Sequence, residues 1–378
     1  MKGIVSKTVM FFVTPVYPYG NDHYFHEIIA IAEGFNALGW KVVGNVDYWW
    51  QPEKGSFLIK SDIENKDYDL AVYDYRYVIS FEHLLFRKGY PNFDKSKYHV
   101  LVDRNGWIQP IWHDKPAYSI FDLILAGNLF SSKSYAPNIR PWAIGLTNRI
   151  VDTIDRFYEI NNSSRSRSVG YNFRVDHNMR GYLLSHLIEN LHKYPALPKF
   201  SLNKMEHEDV DSYYYKSSSF RHDPDYYETL TNSMFFMAFG GYYDFKPCRY
   251  LPHNLFDKLL RKPFYWRYRL KRKRNKDFSN QIFIFQHDNF RFWEVLCSGC
   301  IAINLDLKFW NFLLPESPVN GVHYIGVKCL NDDLESILVN LNDVQIQNIG
   351  NEGRKWVIDN YSPVAQANRL LNYLDGTQ

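Results

Sequence analysis

The chain has 378 residues, 46% of them hydrophobic and 22% charged, with a net charge of +3, which suits two apolar cores and excludes a nucleic-acid coat or a disordered tail. Four cysteines are too few for a disulfide scaffold, and no His pair stands near Cys297 and Cys300 at zinc-site spacing, so a reducing, cytoplasmic setting is expected. The apolar opening at 9–16 (VMFFVTPV) is less than half a bilayer span and leads into a Pro/Gly turn, unlike a cleavage site.

The first strand pattern covers 8–13, then comes the loop TPVYPYGNDH and a helix-spaced run at 24–38 that Gly39 ends. A strand at 41–46 completes a βαβ unit, whose product is a parallel sheet with covering helices. Short strands follow at 70–73, 99–102, 123–126 and 142–144, each before a polar or Gly-bearing loop of the kind that binds ligands in doubly wound sheets. Residues 161–167 (NNSSRSR) read as a linker, since Ser, Asn and Arg build no core. The pattern restarts with a strand at 168–171, a helix at 179–191, a strand at 199–202 and the helix-to-strand piece DYYETLTNSMFFMAFGG. An αβα run over 291–340 and helices at 352–360 and 363–373 close the chain.

The stretch 258–276 carries ten Lys/Arg among 19 residues, with Phe264, Tyr265, Trp266 and Tyr268 interleaved. Such a segment suits anionic lipid headgroups, which would bring the protein to a membrane surface. It suits nucleic acid, where bases stack on rings, and equally a solvated insertion.

The most informative block is NFRFWEVLCSGCIAINLD at 289–306, a helix running into Ser-Gly-Cys and a strand. Arg291 and Glu294 share a helical face. A carboxylate at a Gly turn accepts both hydroxyls of a ribose, and a neighbouring guanidinium neutralises a diphosphate; a local salt bridge is the other reading. Asn304 and Asp306 end the following strand, facing a ligand crevice or capping a turn. The D-x-D pairs Asp67/Asp69 and Asp209/Asp211 precede a strand or lie in polar sequence and read as surface, and no P-loop, G-x-G-x-x-G, H-E-x-x-H or G-x-S-x-G occurs.

At this block the chain resembles the C-terminal domain of GT-B glycosyltransferases, in particular exostosin-like and family 1-like members, whose pattern is close to S-x-R-x-x-E-A-x-x-x-G-C-I-P-V-I. Here it reads N-F-R-F-W-E-V-L-C-S-G-C-I-A-I-N, departing at Asn289, Val295 and Ala302. DYYETLTNSMFFMAFGG upstream, and PESPVNGVHYIGV and NEGRKWVIDNYSP downstream, look like further family segments, so the resemblance covers about 170–370. Gly241 and Arg291 stand about fifty residues apart, a gap filled by the basic segment and wider than in simpler members.

The resemblance implies an α/β, GT-B fold of two Rossmann-like domains facing a central cleft. The expected layout is an acceptor domain at 1–160, a donor domain at 168–360 with a basic insertion at 245–285, and a C-terminal helix, 361–378, crossing back to the first domain. It implies transfer of a sugar from a nucleotide-diphosphate donor to a glycan or lipid-linked glycan, with the nucleotide-sugar as co-substrate and no metal. Enzymes of this fold that act on modified DNA bases, and a non-catalytic sugar binder, are the alternatives. Donor contacts would come from Arg291, Glu294, Gly240, Gly241, Gly170, Arg174, Arg180 and Asn304. The catalytic base would be Asp103, in HVLVDRNGW, or His23 or His26 after PYGND. Tyr17 and Tyr19 would stack on the acceptor sugar. The expected location is the cytoplasm, with peripheral membrane contact through 258–276.

Overall fold

Alternate residues of the first strands go to opposite sides of one sheet, and this divides the apolar residues between two cores. In the computed structural model, which describes residues 7–14, 26–51, 55–61, 67–78, 94–103, 119–161, 165–171, 179–180, 224–245, 282–285, 287–328 and 334–376, Val9, Phe11, Val72, Val100, Val102, Leu123 and Leu125 face one side. Met10, Phe12, Ala71, Tyr73, Leu101, Ile124 and Ala126 face the other.

The strands are β1 (Thr8–Phe12), β2 (Lys41–Gly44), β5 (Leu70–Asp74), β6 (Tyr98–Asp103), β7 (Leu123–Ala126) and β9 (Ile139–Pro141). They form a six-stranded parallel sheet in the order β2-β1-β5-β6-β7-β9. Helix α1 (His26–Ala37) joins β1 to β2 and ends at Gly39, whose φ of 81° suits a residue without Cβ. Among the described residues, this half also holds β3 (Tyr48–Gln51), antiparallel to β4 (Gly55–Leu58), and the two-residue β8 (Leu129–Phe130).

The apolar residues 142–144, expected as a strand, lie just past β9. Trp142 N–H donates to the Ala126 carbonyl at 2.8 Å, and the chain then leaves the sheet. Ala143, Ile144 and Leu146 are buried because they enter the second core. Helix α2 (Asn148–Asn161) belongs to that core through Ile150 and Ile154, so the chain passes between cores before 161–167. The expected linker is partly structured: Arg165 donates to the carbonyls of Ser233 and Ser298, tying strand to helix end.

The second half holds β10 (Ser166–Gly170), α3 (Pro224–Asn232), β11 (Ser233–Met237), β12 (Tyr242–Phe245), β13 (Ile282–Phe285) and α4 (Phe290–Cys297). β14 (Ile301–Leu305), β15 (Phe312–Leu313), β16 (Ile325–Val327), α5 (Leu334–Val339), α6 (Asp343–Tyr361) and α7 (Pro363–Leu374) follow. Its parallel sheet runs β10-β11-β14-β16. α6 starts earlier than the expected 352–360 because Asn342 and Gln345 form a capping box. Its Gly350 and Gly353 are packing positions where a Cβ would meet the carbonyls of Gly299 and His323. Among the described residues no helix is long and apolar enough to cross a membrane.

Pro363 stops α6 and starts α7, which turns back to the first domain. Ala367 and Leu370 complete the core beneath α1. The approach is close enough that a Cβ on Gly34 would meet the Pro363 carbonyl and Ala367 Cβ. Gly34→Ala stabilises an ordinary helix by about 1 kcal/mol; here overpacking reverses the sign, with an expected loss of about 1–3 kcal/mol by urea unfolding.

Candidate active site

Open α/β sheets take ligands at the carboxyl ends of their strands, and here a crevice lies where the ends of β6 and β7 meet the segment that leads into α4. On the first side β6 ends at Asp103 and β7 at Ala126, followed by Gly127 and Asn128. On the second, β11 runs into Gly240 and Gly241, and the segment 287–289 leads into α4.

Asp288 joins the sides. Its carboxylate accepts from Ile144 N–H at 2.8 Å and from the Trp293 indole N–H at 2.7 Å, while its own N–H donates to Asn128 Oδ1 at 2.9 Å. Asn128 adopts φ 58°, a conformation that Asn tolerates better than most residues. Glu27, Val102, Asp103, Gly127, Asn128, Trp142, Ala143, Ile144 and Asp288 line a cavity of about 40 Å³, room for a few waters. The buried carboxyl residues Glu27 and Asp103 are each 3% exposed. Among the described residues no group of three or more His, Cys, Asp or Glu side chains is arranged to hold a metal ion.

Across the crevice, Asn289 caps α4. Its Oδ1 accepts from Phe292 N–H, and its Nδ2 donates to the Ala238 and His287 carbonyls. Gly240 is glycine for this contact, since a Cβ there would strike the Asn289 side chain. Gly241 takes φ 95°.

Arg291 and Glu294 meet through one ring. The Arg291 guanidinium lies 5.2 Å over Tyr226, whose hydroxyl donates to Glu294 Oε2 at 3.1 Å. Tyr227 donates to Oε1, also at 3.1 Å. Burial above all, then the nearby Glu294, pushes both tyrosines well above the ordinary phenol range, so both keep the protons they donate. Glu294 is buried and Arg291 half-buried. Arg180 donates from Nε to the Phe239 carbonyl at 3.0 Å, which brings its guanidinium to the end of β11.

The remaining expected residues are dispersed. Gly170 closely approaches the Phe236 ring, and Asn304 is buried within β14 opposite Gly326. Asp306 caps the turn after β14, accepting from Phe309 N–H and Asn320 Nδ2, so it serves the turn and not the crevice. Asp69 accepts from Thr8 N–H at the amino end of β1, opposite the crevice. His26 is buried with its ring edge-on to Trp49 and Phe290. His23, Tyr17, Tyr19, Arg174, Asp209, Asp211 and the segment 258–276 lie outside the described residues. Desolvation pushes the buried Cys297 and Cys300 thiols up to about 12, so neither offers a thiolate.

Sequence reasoning missed Glu27, Asn128, His287 and Asp288. The signals were the AGN turn after a strand and the polar HDN between a strand and a helix. His287 stacks on Phe312 at 3.7 Å and 4°, with Phe130 at its edge. This is the antiparallel seam where β8 of one half pairs with β15 of the other.

Two outcomes follow. Asp288→Ala leaves two buried N–H donors without an acceptor and is expected to cost about 2–4 kcal/mol in urea unfolding. Desolvation pushes His287 down from 6.5 to about 3, so between those values the unfolded chain takes a proton that the native state refuses, and native stability falls as pH falls. Relative to His287→Phe, the wild type should lose about 2 kcal/mol between pH 7 and pH 5; a constant difference would remove His287 from the account.

No protein-family model matches the sequence, and no curated protein matches it. Solved structures do match in fold. A glycosyltransferase from Rickettsia africae ESF-5 superposes with a TM-score of 0.52 at 10% identity, over 98% of each chain. AviGT4, a glycosyltransferase involved in avilamycin A biosynthesis, superposes at 0.53 and 11% identity, again over 98% of each chain. The likeness runs through both domains and the returning helix, and the chain has the two-domain GT-B fold.

Proposed function

We propose that this chain is a glycosyltransferase that moves a sugar from a nucleotide-diphosphate donor in the C-terminal domain to a hydroxyl of a glycan or lipid-linked glycan in the N-terminal domain. The observation that carries the reading is the cavity at the ends of β6 and β7, lined by buried Asp103 from the first half and by Asp288 from the second, three residues before Arg291 in the first turn of α4. The likeness of fold to two glycosyltransferases over nearly the whole chain supports it.

In this reading Arg291, Arg180 and the N–H groups opening α4 offset the charge of the leaving diphosphate. Glu294, oriented by Tyr226 and Tyr227, is the donor-side carboxylate that takes the ribose hydroxyls. Gly241, at φ 95°, turns the chain beside the nucleotide, whereas Gly170 and Gly240 make room for Phe236 and Asn289. Asp103 takes the acceptor hydroxyl proton as that oxygen bonds to the anomeric carbon; the bond from this carbon to the diphosphate oxygen breaks, and its electron pair leaves with the diphosphate. The nucleotide-sugar is a co-substrate, and the step as written uses no resident cofactor.

A thermal-shift screen against UDP, GDP, CMP, TDP, ADP and their sugar conjugates tests the reading. One nucleotide class should stabilise the protein, by about 2.7 kcal/mol at a hundredfold excess over Kd, and Arg291→Ala should abolish the shift. Stabilisation by none of them, or full retention in Arg291→Ala, would overturn the donor assignment. Binding without transfer or hydrolysis would favour a non-catalytic sugar-binding protein.

A further inference from the structure

Trp49, in β3, combines two unfavourable features with one specific contact. Its backbone sits at φ 59°, the left-handed region in which a bulky side chain is an outlier. Its indole is 1% exposed, and among the described residues Nε1–H finds no acceptor, a loss that a buried donor normally avoids. The contact is a cation–π stack: Arg149, 6% exposed and near the buried Glu33, lies 3.6 Å over the ring. Native sequences keep such conflicts where function needs the geometry.

The contacts around Trp49 show what the geometry holds. Arg149 is the second residue of α2, the helix by which the chain enters the C-terminal core. On the other side His26, the first residue of α1, meets Trp49 edge-on at 5.4 Å and 81°. His26 in turn meets Phe290, the first residue of α4, at 4.9 Å and 85°. Glu27, next in the chain, lines the cavity that holds Asp103, and Arg291 follows Phe290. Trp49 thus joins α2 to the opening turn of α1, and the ring of His26 carries the contact on to the opening turn of α4.

We propose that Trp49 is a positioning residue for glycosyl transfer, fixing the first turn of α1 with Glu27 against the first turn of α4 with Arg291. This rests on the reading of the crevice as the transfer site. The left-handed backbone interrupts strand alternation and sets the indole between Arg149 and His26. Its cost persists because a relaxed Trp49 would release His26, and with it the first turn of α1, from its place against the first turn of α4.

The test compares Trp49→Phe, Trp49→Ala and Trp49→Gly in the full chain, with UDP-glucose as the donor probe. Trp49→Ala and Trp49→Gly should each lower kcat by about 10²-fold, the effect of a small misplacement of reacting groups, with KM for UDP-glucose changed less than about twofold. Trp49→Phe keeps the stack and should recover kcat to within a few-fold. Glycine adopts φ 59° without strain, so Trp49→Gly should unfold at a higher temperature than Trp49→Ala and yet be equally slow. If activity instead follows stability, with Trp49→Gly faster than Trp49→Ala, the positioning role is wrong.

A second measurement needs no substrate. The ring Cε1–H resonance of His26, assigned by its loss in His26→Gln, should move in Trp49→Ala and keep its ring-current shift in Trp49→Phe; an unmoved signal in Trp49→Ala overturns the proposal. A wild type that neither binds nor turns over UDP-glucose or the other nucleotide sugars defeats the transfer reading, and this resonance still decides whether Trp49 holds His26.

Discussion

One carboxylate, Asp288, sets how the two halves of this molecule face each other. Two N–H donors from different parts of the structure converge on it, one on the segment leaving the first sheet and one in the core of the second, while its own N–H returns a bond to Asn128. The residues it joins flank the crevice, so the separation of the two strand-end rows depends on short, charge-assisted hydrogen bonds. The neighbouring seam is aromatic: His287, kept neutral by burial, stacks between rings contributed by both halves. A polar tie and an apolar stack side by side resist both sliding and separation, because one is directional and the other depends on excluded water.

Polarity within the crevice is divided. Among the described residues, the cavity is lined by Glu27 and Asp103 of the first side and Asp288 of the second, and by no lysine or arginine. The second side brings Arg180 to the end of β11 and Arg291 to the start of α4. This division suits a reaction in which negative charge develops on one partner and a proton leaves the other. Glu294 does not contradict it, because two tyrosine hydroxyls with elevated pKa solvate that carboxylate and hold it against α3.

Much of this was legible in the sequence, for local reasons. The strands of the first sheet are continuous apolar runs because both faces are covered. Gly39 marked the end of α1, and DYYETLTNSMFFM changes period within a few residues, as α3 changes to β11. The spacing of Arg291 and Glu294 gave their common face, and the ring of Tyr226 that joins them came from another helix. What escaped was set by contacts between distant segments. Asp288 and Asn128 are 160 residues apart, and nothing near either in sequence marks the other as a partner. Trp49 in a left-handed conformation contradicts its own propensity, and the burial of 142–144 reflected entry into a second core instead of another strand.

The return of α7 to the first domain has a consequence for biosynthesis. The first sheet is fully translated once residue 141 has been made, but the core beneath α1 lacks Ala367 and Leu370. At about 5–20 residues per second, roughly 230 further residues take on the order of 10–50 s. Throughout that interval the nascent first domain lacks the helix that packs closely on α1 at Gly34. The half that emerges first is therefore the half that finishes last, and until then its unfinished core is exposed to the aggregation that uncovered apolar surface promotes.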